Sequence, residues 1–249
     1  GMPGISEERS FTDASGIDIV YDVYPAQGDP RGVVQIAHGV GEHAGRYAEL
    51  AAVLTARGFI VYADDHRGHG RTGMRQHGDA AKLGRLGRGG HRAAVAAVWQ
   101  FTQLIRAENP ALPLVLLGHS WGSFIAQMLL DDHPEAYDAV VLSGSSLRMP
   151  GALNAGPLNA RWKSKDAHGL EWLSTERTVW DDFRADPLTT ETPLLKLFGP
   201  VEAARLYGLP RRNLGRDVPV LLMVGRDDSV GGPRSVHRLA DAYRTRSGL

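Results

Sequence analysis

The run Pro113-Leu114-Val115-Leu116-Leu117-Gly118-His119-Ser120-Trp121-Gly122-Ser123-Phe124 decides how this chain is read. Its first half is a short, unbroken apolar segment of the kind buried on both faces of a parallel sheet. From Gly122 to Leu130 the pattern continues as a helix. Gly118 to Gly122 spells Gly-x-Ser-x-Gly at the junction. Where a strand enters a helix through that pattern, the glycines permit a tight turn and the serine hydroxyl stands exposed above the sheet. Ser120 is the candidate nucleophile, the plainer alternative being a turn serine. His119 points to the other side of the chain and is expected to pack under the turn.

Similar apolar runs recur at Val33–Ile36, Phe59–Tyr62, Ala139–Leu142 and Val218–Val224. Helical stretches separate the early ones. Tyr47, Leu50, Ala51 and Leu54 share a helical face and Gly58 follows as a stop; Val95, Val98, Thr102 and Ile105 line a second helix that ends before Pro110. Strand and helix in alternation predict an α/β fold with right-handed crossovers. Near the N-terminus, Phe11–Thr12 and Ile17–Val23 flank Ser15-Gly16, which predicts a hairpin at the sheet edge.

The rhythm stops after Ser145. No strand pattern is found up to about Pro210, and Trp162, Trp172 and Trp180 fall in this prolyl-rich stretch with Leu170, Leu173 and Phe183. The expected division is a core of residues 1–145 and 210–249, with a cap insertion at 146–209 over the carboxyl ends of the strands. The plainer reading makes the same residues helices that complete the core.

With 249 residues, 43% of them apolar, the chain can build one large core. Its 28 basic residues balance 28 acidic ones, so no global field draws nucleic acid or an anionic membrane. The absence of cysteine excludes disulfides, thiolate metal sites and a cysteine nucleophile. Gly1 ahead of Met2 reads as an expression remnant, and Met2–Arg9 lacks the apolar centre of a signal peptide. No apolar run approaches the roughly 20 residues that span a bilayer. A soluble cytoplasmic protein is the expectation, with at most transient contact with a membrane surface.

Acyl chemistry at Ser120 needs donors aimed at an oxyanion. One is expected from the backbone N–H of Trp121. The second is expected from the loop after Val33–His38, which reads His38-Gly39-Val40-Gly41-Glu42-His43; the Val40 N–H is the choice there. The third element is an acid past a late strand, and Val218–Val224 leads into Gly225-Arg226-Asp227-Asp228. Either carboxylate could orient a histidine and stabilise its imidazolium.

His38-Gly39-Val40-Gly41-Glu42-His43-Ala44-Gly45-Arg46-Tyr47, Asp65-His66-Arg67-Gly68-His69-Gly70-Arg71-Thr72 and Gly118-His119-Ser120-Trp121-Gly122 together resemble the monoacylglycerol lipase and lysophospholipase branch of the α/β-hydrolases. The resemblance covers most of Val33–Ser143 and resumes at Leu221–Tyr243. It implies an α/β-hydrolase fold: a mostly parallel central sheet, helices on both faces and a helical cap. It further implies Ser120 as nucleophile, Val40 as an oxyanion donor and Asp228, rather than Asp227, as the acid. No metal or cofactor is implied, and the expected partner is a small acyl ester or lipid.

Two stretches depart from that family. From Arg67 to Arg92 the chain carries Arg67, Arg71, Arg75, Lys82, Arg85, Arg88 and Arg92 against one acid, Asp79. A solvated, mobile loop before a helix is the expectation, with a phosphate contact as the functional alternative. The family's histidine follows one further strand, yet of ten histidines only His237 follows Asp228. His237 falls in a helical pattern begun by Pro233 and continued by Val236, Leu239, Ala240 and Tyr243, leading away from the site. The expectation is a base beyond Leu249, with the core's last strand and helix.

These residues point to a serine hydrolase that cleaves carboxylic esters such as a monoacylglycerol or lysophospholipid through an acyl-enzyme at Ser120. The alternatives are a catalytically impaired lipid-binding relative on the same scaffold and a serine peptidase of the same fold.

Overall fold

The computed structural model describes residues 5–143, 218 and 220–223. The expected cap at 146–209, Asp227, Asp228 and His237 lie outside the described residues. The elements follow the alternation of the sequence: strands β1 (Glu7–Thr12), β2 (Asp18–Tyr24) and β3 (Gly32–Ala37), helix α1 (Ala48–Ala56), strand β4 (Phe59–Asp64), helices α2 (Gly70–His77) and α3 (Gly90–Glu108), strand β5 (Leu114–His119), helix α4 (Trp121–Asp132), and strands β6 (Ala139–Ser143) and β7 (Val220–Met223).

These strands form one sheet in the order β1-β2-β4-β3-β5-β6-β7. β1 and β2 pair antiparallel as the expected edge hairpin, and β2 pairs antiparallel with β4. Every later pair is parallel. The hairpin turn is fixed by Asp13, whose carboxylate accepts the Ser15 and Ile17 N–H groups at 2.8 and 3.0 Å.

Strand residues alternate between two apolar cores. Val33, Leu114, Leu116, Val140 and Leu142 face α3 and α4, packing on Val98, Phe101, Ile105, Phe124, Ile125 and Leu129. Val34, Ile36, Val61 and Ala63 face the other way, onto Tyr47, Leu50 and Ala51 around α1. Burial on both faces is why the strands read as continuous apolar runs, and every residue of β3 is buried. The expected helices on both faces follow from the same alternation. Gly58, at φ +93°, closes α1 with its N–H on the Thr55 carbonyl.

The basic stretch is corrected in part by the structure. Arg75, Lys82, Arg85, Arg88 and Arg92 are exposed as expected, but Gly70–His77 is helical and Arg67 is completely buried with Nε 2.9 Å from Asp13 Oδ2. Arg71 reaches Asp65 at 2.9 Å and Asp22 at 2.8 Å. Its acids come from the hairpin and from the end of β4, which a local count of charges cannot include. Arg67 and Arg71 therefore clamp α2 to the sheet and are spent for any phosphate.

No helix among the described residues is long and apolar enough to cross a membrane.

Candidate active site

The carboxyl ends of β3, β4, β5 and β6 lie side by side, and the loops leaving them build the site. β5 passes into α4 through one residue, Ser120, at φ 54° and ψ −118°. These are the dihedrals of the first central residue of a type II′ turn, a place glycine ordinarily takes. Ser120 is the one non-glycine residue with positive φ among the described residues. Three backbone bonds hold it: its N–H donates to the Ser143 carbonyl of β6 at 2.8 Å, and its own carbonyl accepts the Ser123 and Phe124 N–H groups at 2.9 and 3.3 Å.

The glycines on either side serve close approach rather than φ. A Cβ on Gly118 would stand 2.4 Å from the Gly122 carbonyl oxygen, and one on Gly122 would stand 2.0 Å from that of Ala37. The turn can thus close only without side chains at both positions, and it presses the start of α4 onto the end of β3. Trp121 is the first residue of α4, so its N–H lies in the helix's opening turn, directly after Ser120.

The loop after β3 meets Ser120 directly. A Cβ on Gly39 would fall 3.3 Å from Ser120 Cβ. The Gly39 N–H donates to Glu42 Oε2 at 3.0 Å, and the same oxygen accepts the Tyr47 hydroxyl at 3.0 Å. Burial, and then the Glu42 charge, push the Tyr47 phenol well above its ordinary range, so it remains a donor. Val40 follows as a buried residue. Asp65, also buried, extends the bracing: Oδ1 accepts the Ala44 N–H at 2.8 Å, while Oδ2 accepts the N–H and Nε of Arg71 at 2.7 and 2.9 Å.

Beneath the turn lies an aromatic box that the sequence reading missed. The Trp121 indole is fully buried, 5.1 to 6.3 Å centroid to centroid from the rings of His38, His66, His69 and His91. Its Nε1 donates to His91 Nε2 at 2.9 Å. His38 and His66 stack at 3.9 Å, and His66 Nδ1 lies 2.8 Å from Asp64 Oδ2. Burial, reinforced by the neighbouring imidazoles, holds His38 well below the ordinary histidine range; burial also lowers His69, to about 4. Both are neutral at pH 7. The available signal was the recurrence of histidine just past two strand ends, His38 after β3 and His66 and His69 after β4. Despite this gathering, no group of three His, Asp or Glu side chains among the described residues could hold a metal ion.

His119, expected under the turn, has Nδ1 3.2 Å from the Ser143 hydroxyl, and burial lowers its pKa. The structure thus brings Ser120, Trp121 and the Val40 loop together. Asp228, the remaining member of the expected set, lies outside the described residues.

Comparison with known proteins agrees with this geometry. A family model described as serine aminopeptidase, S33, matches residues 28–248. A monoacylglycerol lipase of Mycolicibacterium smegmatis is 33% identical over 241 residues, covering 89% of this chain and 79% of that protein. The mouse monoglyceride lipase is 27% identical over 248 residues, covering 94% and 78% respectively. Among solved structures, a thermostable carboxyl esterase from Bacillus coagulans superposes with a TM-score of 0.75 at 23% identity, over 97% of this chain and 86% of its own; that likeness speaks for the fold.

Proposed function

Because this chain belongs to the serine aminopeptidase S33 family of α/β-hydrolases, we propose that it cleaves carboxylic esters, a monoacylglycerol or lysophospholipid among them, through an acyl-enzyme at Ser120. The observation that carries the reading is the meeting of two backbones: Ser120, strained at φ 54° above the sheet, and Gly39, whose Cα faces Ser120 Cβ. In this reading the Val40 and Trp121 N–H groups are the donors for an oxyanion beside the serine.

In the forward reaction Ser120 Oγ attacks the acyl carbon while a histidine oriented by Asp228 takes its proton. The carbonyl π electrons move onto oxygen, where the Val40 and Trp121 N–H groups stabilise the charge. Collapse expels the alcohol, which leaves with the proton from the histidine. Water then repeats the sequence on the acyl-enzyme and releases the acid. The cap at 146–209 covers the acyl chain in this reading, its tryptophans supplying an apolar wall.

The test is hydrolysis of a short nitrophenyl ester and of a monoacylglycerol by the wild type, Ser120→Ala, Asp228→Asn and Asp227→Asn. Losing the nucleophile is expected to remove several orders of magnitude of rate. Asp228→Asn should lower turnover far more than Asp227→Asn. Undiminished hydrolysis by Ser120→Ala would overturn the reading. The family's aminopeptidase description also favours a peptidase. An aminoacyl anilide run beside the ester decides it: faster Ser120-dependent cleavage of the anilide establishes the peptidase.

A further inference from the structure

We propose that His38 is a positioning residue for the oxyanion hole: fixed as the Nδ1–H tautomer, it grips the Gly39 carbonyl and so aims the Val40 N–H at the oxyanion. The inference rests on the reading of Val40 as an oxyanion donor.

The tautomer follows from two backbone groups. His38 Nε2 lies 2.9 Å from the backbone nitrogen of His66, which can only donate, so Nε2 carries no proton. A neutral imidazole must then carry its proton on Nδ1, 2.6 Å from the Gly39 carbonyl oxygen, which can only accept. An imidazolium would set an N–H against an N–H, and complete burial opposes the charge as well.

That carbonyl shares a peptide group with the Val40 N–H. The described chain has no cis peptide bond, and in a planar trans peptide the C=O and N–H point in opposite directions. Holding the oxygen therefore fixes the direction of the Val40 N–H. The preceding peptide is fixed too, because the Gly39 N–H is held by Glu42. Glycine at 39, where a Cβ would stand 2.7 Å from Glu42 Oε2 and 3.3 Å from Ser120 Cβ, would otherwise leave this backbone free to rotate. A bond to the carbonyl also polarises the peptide and strengthens its N–H as a donor. His66 belongs to the device, since its N–H sets the tautomer and its ring stacks on His38 at 3.9 Å.

Two variants separate the two ends of the imidazole. In His38→Asn the side-chain amide can replace Nδ1 as donor to Gly39 and the bond from His66 is lost; in His38→Gln the longer side chain can replace Nε2 as acceptor and the grip on Gly39 is lost. For ester hydrolysis, His38→Gln is expected to lower kcat about 100-fold, the scale of losing an oxyanion donor, with KM within about twofold, while His38→Asn falls no more than about tenfold. A trifluoromethyl ketone, which forms a tetrahedral adduct, should lose affinity for His38→Gln by the same factor as kcat, and a non-hydrolysable ether analogue should not. In the wild type, long-range proton–nitrogen spectra of 15N-histidine protein should place the His38 proton on Nδ1 whether or not the variants fold. Equal kcat in the two variants, or a proton on Nε2, overturns the inference alone while Ser120-dependent hydrolysis stands. Hydrolysis that ignores Ser120→Ala strikes the underlying reading instead.

Discussion

A Cβ placed on Gly122 would stand 2.0 Å from the carbonyl oxygen of Ala37, a backbone atom that cannot swing aside as a flexible side chain could. The first turn of α4 is therefore docked on the end of β3 at a distance only glycine allows. Gly122→Ala is expected to lower the melting temperature and to move the Trp121 N–H away from the Val40 loop. Overpacking of this kind costs about 1 to 3 kcal/mol, and ester turnover should fall by more than stability alone explains. Thermal unfolding and kcat, measured together, check it. A fully active Gly122→Ala protein with an unchanged melting temperature would show the contact to be soft.

The buried Arg67–Asp13 pair ties the β1–β2 turn to the chain entering α2. Removing one partner leaves the other charged in a dry site, which costs about 3 to 5 kcal/mol. Arg67→Met should lose that much in urea unfolding. Asp13→Ala should lose more than the ion pair alone, because its carboxylate also accepts the Ser15 and Ile17 N–H groups. A double variant that loses no less than the sum of the singles would mean the two residues are not coupled.

How much of this was legible beforehand depended on the range of the interaction concerned. β3 and β5 could be read because burial on both faces writes itself as unbroken Val, Leu and Ile, and Gly118-x-Ser120-x-Gly122 because its chemistry lies within five residues. Its glycines permit the tight turn by supplying room at Gly118 and Gly122, while Ser120 itself carries the positive φ. Arg67 was misread as solvated because its partner, Asp13, lies 54 positions away. The histidine box escaped for the same reason. His38 and His66 are 28 positions apart, and they stack only because the crossover through α1 lays β4 beside β3.

Acid should weaken the fold through two histidines of that box and through His119. His38, His69 and His119 are all held below the ordinary histidine value, chiefly by burial, with His69 at about 4. As pH falls below about 6.5, the unfolded chain takes up these protons while the folded chain does not. The unfolded state then binds more protons, so stability decreases with falling pH, by up to about 1.4 kcal/mol per unit for each such group. For His69 the loss runs from about 6.5 down to about 4, below which its folded form also protonates. Its Nδ1 bonds the Arg67 carbonyl at 2.8 Å and it faces His38, His66, His43 and Asp65. His69→Asn keeps a donor near Nδ1 and removes the titration. Its melting temperature should fall less steeply between pH 7 and 4.5 than that of the wild type. Parallel slopes in the two proteins would remove His69 from the account.

Ser120 itself stores strain that its chemistry requires. A non-glycine residue held at φ 54° and ψ −118° is destabilised by about 1 to 3 kcal/mol, because its Cβ crowds the backbone. Glycine relieves that strain but adds freedom to the unfolded chain worth about 0.5 to 1 kcal/mol. Ser120→Gly is therefore expected to be more stable than the wild type by about 1 kcal/mol, or some 2 to 4 °C in melting temperature, while losing hydrolysis. Ser120→Ala keeps the Cβ and hence the strain, so it should match the wild type in stability and Ser120→Gly in its lack of activity. The pair separates the hydroxyl from the backbone: one atom carries the reaction, and the turn that presents it is held against its own preference by the Ser143, Ser123 and Phe124 bonds. Equal melting temperatures for the glycine and alanine variants would mean that the turn accommodates a side chain without strain, and that the serine's exposure comes from its neighbours alone.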